Sequence, residues 1–219
     1  PSLKKLLENV TKEGYIAGTK KGIRRLRASS RLLLGLSRMI PEEVRNELSM
    51  YLNEIYAEEK ILQVCRSIKR FTYQYSDFID EMLESLWEYD KRINEDNLIR
   101  EFAEKVWMHV RTIPKKEERI IGIVNSPLEL IKKGGNCDCI ATYVASLCSR
   151  AQLEGEIIFV PGPLLGNQKA GHMYFAIYLN QKARGDPYPI DPLADTVGKH
   201  SCPVSVLNKA FRLKLSEIT

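Results

Sequence analysis

The sequence predicts an α+β fold whose first half is all-helical, and three observations support this. Apolar residues recur at helical spacing as far as Pro114. A strongly apolar helix then follows the glycine pair at 134–135, and short apolar runs separated by turn-rich loops fill the remainder. We therefore predict a helical region over residues 1–113. Over residues 114–219 we predict a core in which a helix packs on an antiparallel sheet.

The composition is that of a globular protein. Of the 219 residues, 44% are hydrophobic and 28% are charged, which excludes wholesale disorder. No window reaches about 18 consecutive apolar residues, so no transmembrane segment is expected. The first 14 residues contain no signal-peptide apolar block, and the five cysteines are an odd, scattered set. These features predict free thiols in the cytoplasm or another reducing compartment, with association with a virion left open.

The formal charge of +5 is unevenly distributed. Residues 1–38 carry ten Lys/Arg and two Glu, a net charge of +8, whereas residues 42–108 carry sixteen acidic and nine basic groups, a net charge of −7. Residues 23–38 have the pattern of a basic amphipathic helix. Two interpretations stay open: a packed helix with a solvated charged face, or an arm that binds an anionic partner such as nucleic acid or lipid.

Several helix boundaries can be predicted in the first half. Pro41 suits the first position of a helix, and Ser76 and Asn94 are plausible N-caps of two later helices. Pro114 ends the last of them. Between these boundaries the apolar stripes are formed by three sets: Val44, Leu48, Leu52 and Ile55; Ile79, Met82, Leu83 and Leu86; and Leu98, Ile99, Phe102, Val106 and Val110. A further stripe at Ile61, Cys65 and Ile68 either continues the first helix or begins another.

In the second half, one helix precedes three predicted strands. Residues 120–124 are apolar and of unassigned state, and 128–133 form a short helical turn. Residues 137–152 have the i, i+3, i+4 spacing of a buried helix. The strands are predicted at 156–160, 173–179 and 188–191, and the loops between them are rich in turn residues.

Three reactive side chains occupy positions that this arrangement brings together. Cys137 lies at the first turn of the apolar helix, where unpaired backbone N–H groups and the positive end of the dipole are expected to favour thiolate and to stabilise an oxyanion. His172 opens one strand and Asp191 ends the next. In an antiparallel hairpin these two positions are adjacent. The set provides a nucleophile, a general base and an orienting acid.

The ordered segments GGNCDC, GHMYFAIYL and YPIDPL resemble the transglutaminase-like superfamily of papain-like cysteine enzymes, over about residues 120–195. The resemblance implies a papain/transglutaminase-like core with Cys137 as nucleophile, His172 as base and Asp191 as orienting acid. It implies acyl transfer at amide bonds of a protein or peptide substrate, by hydrolysis (thiol protease or amidohydrolase) or by transamidation. No cofactor is implied, and no cluster of ligands requires a metal.

The sequence departs from the family pattern at two positions. Cys139 stands where many relatives carry a second trailing acid, which makes it a rival nucleophile. A helical residue two positions on points about 200° away, so only one thiol can face His172, and the glycine-adjacent Cys137 is favoured. Tyr174 follows the histidine where relatives often have Trp, as a candidate shielding residue. Asn125 and Asn136 are candidate oxyanion donors, although turn formation and capping also explain them.

Alternatives remain at this point. Cys137, Cys139, His200 and Cys202 form a C-x-C…H-x-C pattern that could bind zinc. The chain could also be a non-catalytic assembly or virion protein that carries a transglutaminase-like module. The helical region 1–113 is open to interpretation as a substrate-binding module, a pro-segment or an assembly element. Residues 161–171, just before His172, are a candidate gating loop.

Overall fold

A computed structural model describes residues 60–86, 96–116, 124–165, 171–181 and 185–218, all within one compact unit spanning residues 55–219. The basic arm 1–38, the helix predicted from Pro41, the Asn94 cap and residues 120–123 of the unassigned run lie outside the described residues. Among the residues described, no helix combines the length and apolarity needed to cross a membrane.

Three helices precede the core: α1 (residues 60–74), α2 (Ser76–Leu86) and α3 (Asp96–Thr112). Their predicted apolar stripes are buried or half-buried, and Ile68 in α1, Ile79 in α2 and Val106 in α3 are each 0% exposed. All three helices contribute to the cluster that also contains the sheet. The helical character predicted for this stretch is therefore confirmed where it is described, and the boundary predicted at residue 113 stays a prediction.

Two helices flank the glycine pair. The short α4 (Pro127–Lys133) begins at a capping box in which Ser126 and Glu129 bond each other's backbone N–H. The long α5 (Cys137–Arg150) is capped by Asn136, and residues from Asp138 to Cys148 are buried. A helix that is apolar on all sides must be enclosed, and α5 packs against α2 on one side and the sheet on the other.

The sheet has four antiparallel strands in the order β3-β2-β1-β4: β1 (Gly155–Val160), β2 (His172–Tyr178), β3 (Pro187–Ile190) and β4 (Phe211–Lys214). Strands β1 to β3 correspond to the three predicted strands. The edge strand β4 was not predicted, because FRLK alternates apolar and charged residues over only four positions. Short one-turn helices lie at Gly162–Leu165, at Val204–Leu207 and at Leu215–Glu217.

Both faces of the sheet are covered, so β1 and β2 are buried along their whole length. Met173, Phe175 and Ile177 belong to the main core with α5, and the alternate residues Tyr174 and Ala176 belong to a second cluster with Cys202 and Leu207. This confirms the predicted α+β fold class, in which a helix packs on an antiparallel sheet and further helices precede it.

Candidate functional site

The turn before α5 requires both of its glycines. Gly134 has φ +79°, a conformation that favours glycine, and a Cβ there would lie 2.1 Å from the Pro114 carbonyl oxygen. A Cβ on Gly135 would lie 2.7 Å from the Leu130 side chain. The close approach allows two backbone bonds, from Gly135 N–H to Pro114 and from Lys116 N–H to Gly135, at 3.1 and 3.0 Å. The turn is thus tied to the end of the helical region.

The two candidate asparagines hold this turn. Asn136 caps α5, its side-chain oxygen accepting the Cys139 N–H at 3.0 Å. Asn125 donates from Nδ2 to the Gly134 carbonyl at 3.1 Å. Both side chains are thus engaged in capping and turn bonds, the contribution that their residue types predict without catalysis.

Cys137 is half-buried at the N-terminus of α5, and its sulfur lies against the start of β2. The thiol is 3.9 Å from the Gly171 carbonyl oxygen, and the sulfur accepts the backbone N–H of Met173. These contacts are with the two residues that flank His172. The other acceptor within reach of the thiol is Asp138 Oδ1, at 3.5 Å, and no hydrogen bond joins the thiol to the His172 ring in the described part of the site.

The expectation that the helix terminus favours thiolate at Cys137 is wrong for this arrangement. Burial, and next the adjacent Asp138 carboxylate, raise the pKa of Cys137 to about 12. The Lys60 ammonium and the Met173 N–H act in the opposite direction but do not outweigh them. Cys137 is therefore a neutral thiol at pH 7, and its activation requires a base.

Cys139 occupies the opposite side of the helix. It is 0% exposed within the main core, and its sulfur accepts the Asn125 backbone N–H at 3.4 Å. This matches the predicted divergence of the two thiols around the helix. The Cys139 sulfur therefore lies in the core, whereas His172 lies at the first position of β2.

His172 and Asp191 are in direct contact. Nε2 of His172 lies 3.0 Å from Asp191 Oδ1, and both side chains are buried. With an ionised carboxylate as acceptor, Nε2 carries the proton, and Nδ1 is left as the acceptor nitrogen. The hairpin of β2 and β3 therefore pairs the predicted base with the predicted orienting acid.

Asp191 is held by more donors than sequence reasoning found. Besides His172, its carboxylate accepts the N–H of Leu193 at 3.0 Å and both the N–H and the hydroxyl of Ser201, at 2.9 and 2.6 Å. Burial opposes ionisation of Asp191, but the hydrogen bonds from His172 and Ser201 outweigh it and lower its pKa. Ser201 was missed because nothing in its surroundings distinguishes it from any loop serine.

Tyr174 lies against His172, and the shielding role given to it stays a prediction. Its ring stacks on that of His172, with centroids 5.4 Å apart and planes 28° apart. The Tyr174 hydroxyl bonds Nδ1 of His200 at 2.5 Å, so His200 supports this aromatic neighbour. Burial, with Arg212 nearby, lowers the pKa of His200, which is therefore neutral at pH 7.

Helix α3 also reaches the site. Trp107 donates from its indole N–H to the Asp191 backbone carbonyl at 2.9 Å, and Lys115 donates to the Pro192 carbonyl at 3.3 Å. Sequence reasoning gave neither residue a role at the site, because each is 77 or more positions away in the chain. Asp191, the predicted orienting acid, is thus itself held by a residue of the helical region.

The zinc alternative is overturned. Cys139 lies in the core on the α5 side of the sheet, whereas Cys202 lies in the cluster on the other side, and His200 bonds Tyr174. Among the described residues, no group of three or more His, Cys, Asp or Glu is placed to hold a metal ion.

Of the candidate gating loop, only residues 161–165 and 171 are described.

No family model matches the chain, and no curated protein matches it. Among solved structures it is similar to Legionella pneumophila LapG, at 18% identity over 63% of this chain and 75% of that chain, with a TM-score of 0.37. Calcium-bound and EGTA-treated LapG give 20% and 18% identity over 65% and 69% of this chain and 76% and 78% of those chains, with TM-scores of 0.38 and 0.39. At this degree of likeness, the roles of the site residues depend on the geometry of this chain alone.

Proposed function

We propose that the chain is a cysteine enzyme that transfers acyl groups at amide bonds, with Cys137 as nucleophile, His172 as general base and Asp191 as orienting acid. The observation that carries the proposal is the buried His172–Asp191 pair, at 3.0 Å, with the Cys137 sulfur in contact with the backbone on both sides of that histidine. A purely structural role of His172 would explain its contact with Asp191. It would not explain why the Cys137 thiol lies against the same segment of β2.

The first step is proton transfer coupled to attack. Nδ1 of His172 accepts the Cys137 thiol proton while the sulfur forms a bond to the carbonyl carbon, and the π electron pair moves to the oxygen. Coupling is required because the raised pKa of Cys137 leaves little free thiolate. The ring becomes an imidazolium whose charge the Asp191 carboxylate stabilises. The contact between thiol and ring tightens when an electrophile enters the site, as catalytic hydrogen bonds often do.

The tetrahedral oxyanion needs hydrogen-bond donors. We assign this role to the backbone N–H groups of Cys137 and Asp138 at the first turn of α5, since the next one, at Cys139, is taken by the Asn136 cap. Asn125 and Asn136 then act as supports of the turn.

The remaining steps regenerate the enzyme. Collapse of the oxyanion breaks the C–N bond, the leaving amine takes the proton from His172, and a thioester on Cys137 remains. Water or an amine then attacks the thioester and gives a proton to His172. The C–S bond breaks, and the departing thiolate recovers that proton. Which acceptor is used decides between a hydrolase and a transglutaminase-type activity.

The test is alkylation by iodoacetamide, mapped by mass spectrometry. Because the resting thiol has a raised pKa, labelling is followed at pH 8, where general-base assistance by His172 distinguishes Cys137 from the other thiols. We expect Cys137 to react fastest, and His172→Ala to slow it by about 10²-fold, the lower end of general-base contributions. Equal labelling of all exposed thiols would instead support a non-catalytic assembly protein.

Two product assays then separate the outcomes of acyl transfer. Cleavage of a peptide library measures hydrolysis, and incorporation of a fluorescent primary amine into a protein substrate measures transamidation. Cys137→Ser is the control for both, and Cys139→Ser is the matched variant, which we expect to retain activity if folded.

A further inference from the structure

Asp138 places a negative charge beside the proposed nucleophile. It is the second residue of α5, where an acid interacts favourably with the helix dipole, and it is buried, at 6% exposure. One carboxylate oxygen is 3.5 Å from the Cys137 sulfur. An unpaired carboxylate at this distance would oppose every step in which the sulfur gains negative charge.

Lys60 meets the other oxygen of that carboxylate. Its ammonium is 2.9 Å from Asp138 Oδ2, and the two side chains are only 10% and 9% exposed. Buried pairs of this kind are screened little by solvent, so each partner strongly affects the charge of the other. Lys60 lies on α1, almost 80 positions before Asp138, so the ion pair joins distant parts of the chain.

The position of the ammonium is fixed by a third contact. It lies 4.9 Å from the centroid of the Phe159 ring on β1, a cation–π distance. Phe159 pairs in the sheet with Met173, the residue whose N–H bonds the Cys137 sulfur. The cation, the carboxylate and the thiol are thus held by α1, α5 and the β1–β2 pair together.

We propose that Lys60 is a positioning residue for the nucleophile: it holds the Asp138 carboxylate and cancels the negative charge that this carboxylate would otherwise place beside the Cys137 sulfur. The inference rests on the proposed function. The charged groups that face the sulfur are then Asp138 and Lys60, with the His172–Asp191 pair at the adjacent strand end. The ion pair makes the local charge near zero.

The experiment measures the rate constant for alkylation of Cys137 by iodoacetamide from pH 6 to pH 10. In Lys60→Met the carboxylate is left without this cation, and we expect alkylation about tenfold slower throughout this pH range, the equivalent of a rise of about one unit in the pKa of the thiol. In Asp138→Asn the opposite shift and faster alkylation are expected. The double variant, neutral at both positions, should return to within about threefold of the wild type, on the same scale of tenfold per unit.

Opposite effects of the two single substitutions are what a merely structural role would not produce, because loss of either partner of a buried ion pair leaves the other charge uncompensated and disturbs the site. Lys105→Met is the matched control, since Lys105 forms an exposed ion pair with Glu101, at 3.3 Å, and should leave the rate unchanged. A double variant as slow as Lys60→Met, or a Lys60→Met rate equal to the wild type, would overturn the proposal.

Two further outcomes would also be decisive. If Lys60→Met does not fold, Asp138→Asn decides alone, and alkylation slower than in the wild type overturns the inference. Failure of the proposed function would be seen separately. The alkylation rate of Cys137 would then not depend on His172, whereas the effect of the Lys60 and Asp138 substitutions on that rate would still be measurable.

Discussion

At the scale of single residues, the site depends on how completely one carboxylate is satisfied. Asp191 is 0% exposed and accepts four hydrogen bonds, from His172, Leu193 and Ser201. A buried charge without such donors would instead be neutralised by a raised pKa. These hydrogen bonds keep the Asp191 carboxylate ionised and keep the His172 imidazole in one tautomer.

Removal of one hydrogen-bond donor tests how much these bonds to Asp191 stabilise the fold. Ser201→Ala deletes the 2.6 Å bond to Asp191 and retains the backbone bond, so we expect a loss of about 1.5–3 kcal/mol in the free energy of unfolding, the range for bonds to charged groups. Urea unfolding measures it. Ser85→Ala, which removes an exposed bond from a serine hydroxyl to a helix carbonyl, is the control and should change stability by less than about 0.5 kcal/mol. Equal effects in the two variants would contradict the role given to Ser201.

Acid should weaken the fold through the same carboxylate. Because the pKa of Asp191 is lower in the folded chain than in the unfolded one, its contribution is complete above the unfolded value, about 3.9, and is lost as the pH falls through the folded value. We expect the unfolding free energy to drop more steeply below pH 4 in the wild type than in Asp191→Asn. Parallel slopes in the two proteins would show that Asp191 is not the group responsible.

At the scale of elements, the turn before α5 determines the position of the proposed nucleophile, Cys137. Its two glycines allow the backbone of residues 134–136 to lie against Pro114 and Lys116, and a side chain at either position has no room. The first turn of α5, with Cys137, is thereby held next to the first residues of β2.

Substitution of the first glycine should therefore displace the thiol. For Gly134→Ala we expect a loss of more than about 2 kcal/mol in stability, since both the positive φ and a Cβ 2.1 Å from a backbone oxygen oppose it. Alkylation of Cys137 should also lose its dependence on His172. Gly185→Ala is the control, because a Cβ there meets nothing within 4 Å. Thermal unfolding and labelling together measure both effects.

The elements could largely be predicted from sequence, and the reasons are local. The Ser126 cap, the glycine pair and the stripe of Ile140, Val144 and Cys148 carry their structure in neighbouring residues, and the hairpin of β2 and β3 follows from alternating apolar runs. Lys60 and Trp107 could not be assigned, because their roles arise from contacts across more than sixty positions. Ser201 could not be assigned, because its role arises from one carboxylate ten positions earlier, across an irregular loop. The acidity of Cys137 was mispredicted because burial is a tertiary property.

At the scale of the whole molecule, the helices before Pro114 are part of the core that holds the site. Val64, Phe71 and Phe102 from α1 and α3 are 0–1% exposed, and Trp107 and Lys115 bond the backbone around Asp191. Within residues 55–219, the described helices and the sheet share one cluster of apolar side chains.

Truncation distinguishes helices that form part of the core from helices that form a pro-segment. A chain of residues 55–219 should keep a melting temperature within about 4 °C of the full chain, since at this size 1 kcal/mol shifts it by about 2–4 °C. A chain of residues 114–219 should fail to fold, because it lacks the apolar partners supplied by α1 to α3. A folded and more active 114–219 fragment is what the pro-segment interpretation predicts, and calorimetry with the alkylation assay separates the two.

The indole of Trp107 gives the molecule an optical property. Its N–H is bonded to the carbonyl of Asp191, and the chain has one other tryptophan, Trp87, which lies outside the described residues. In a Trp87→Phe background, excitation that is selective for tryptophan gives the emission of a single indole, which is hydrogen-bonded to the backbone of the proposed acid. Changes in the surroundings of Asp191 can then be followed in real time, without a chromogenic substrate.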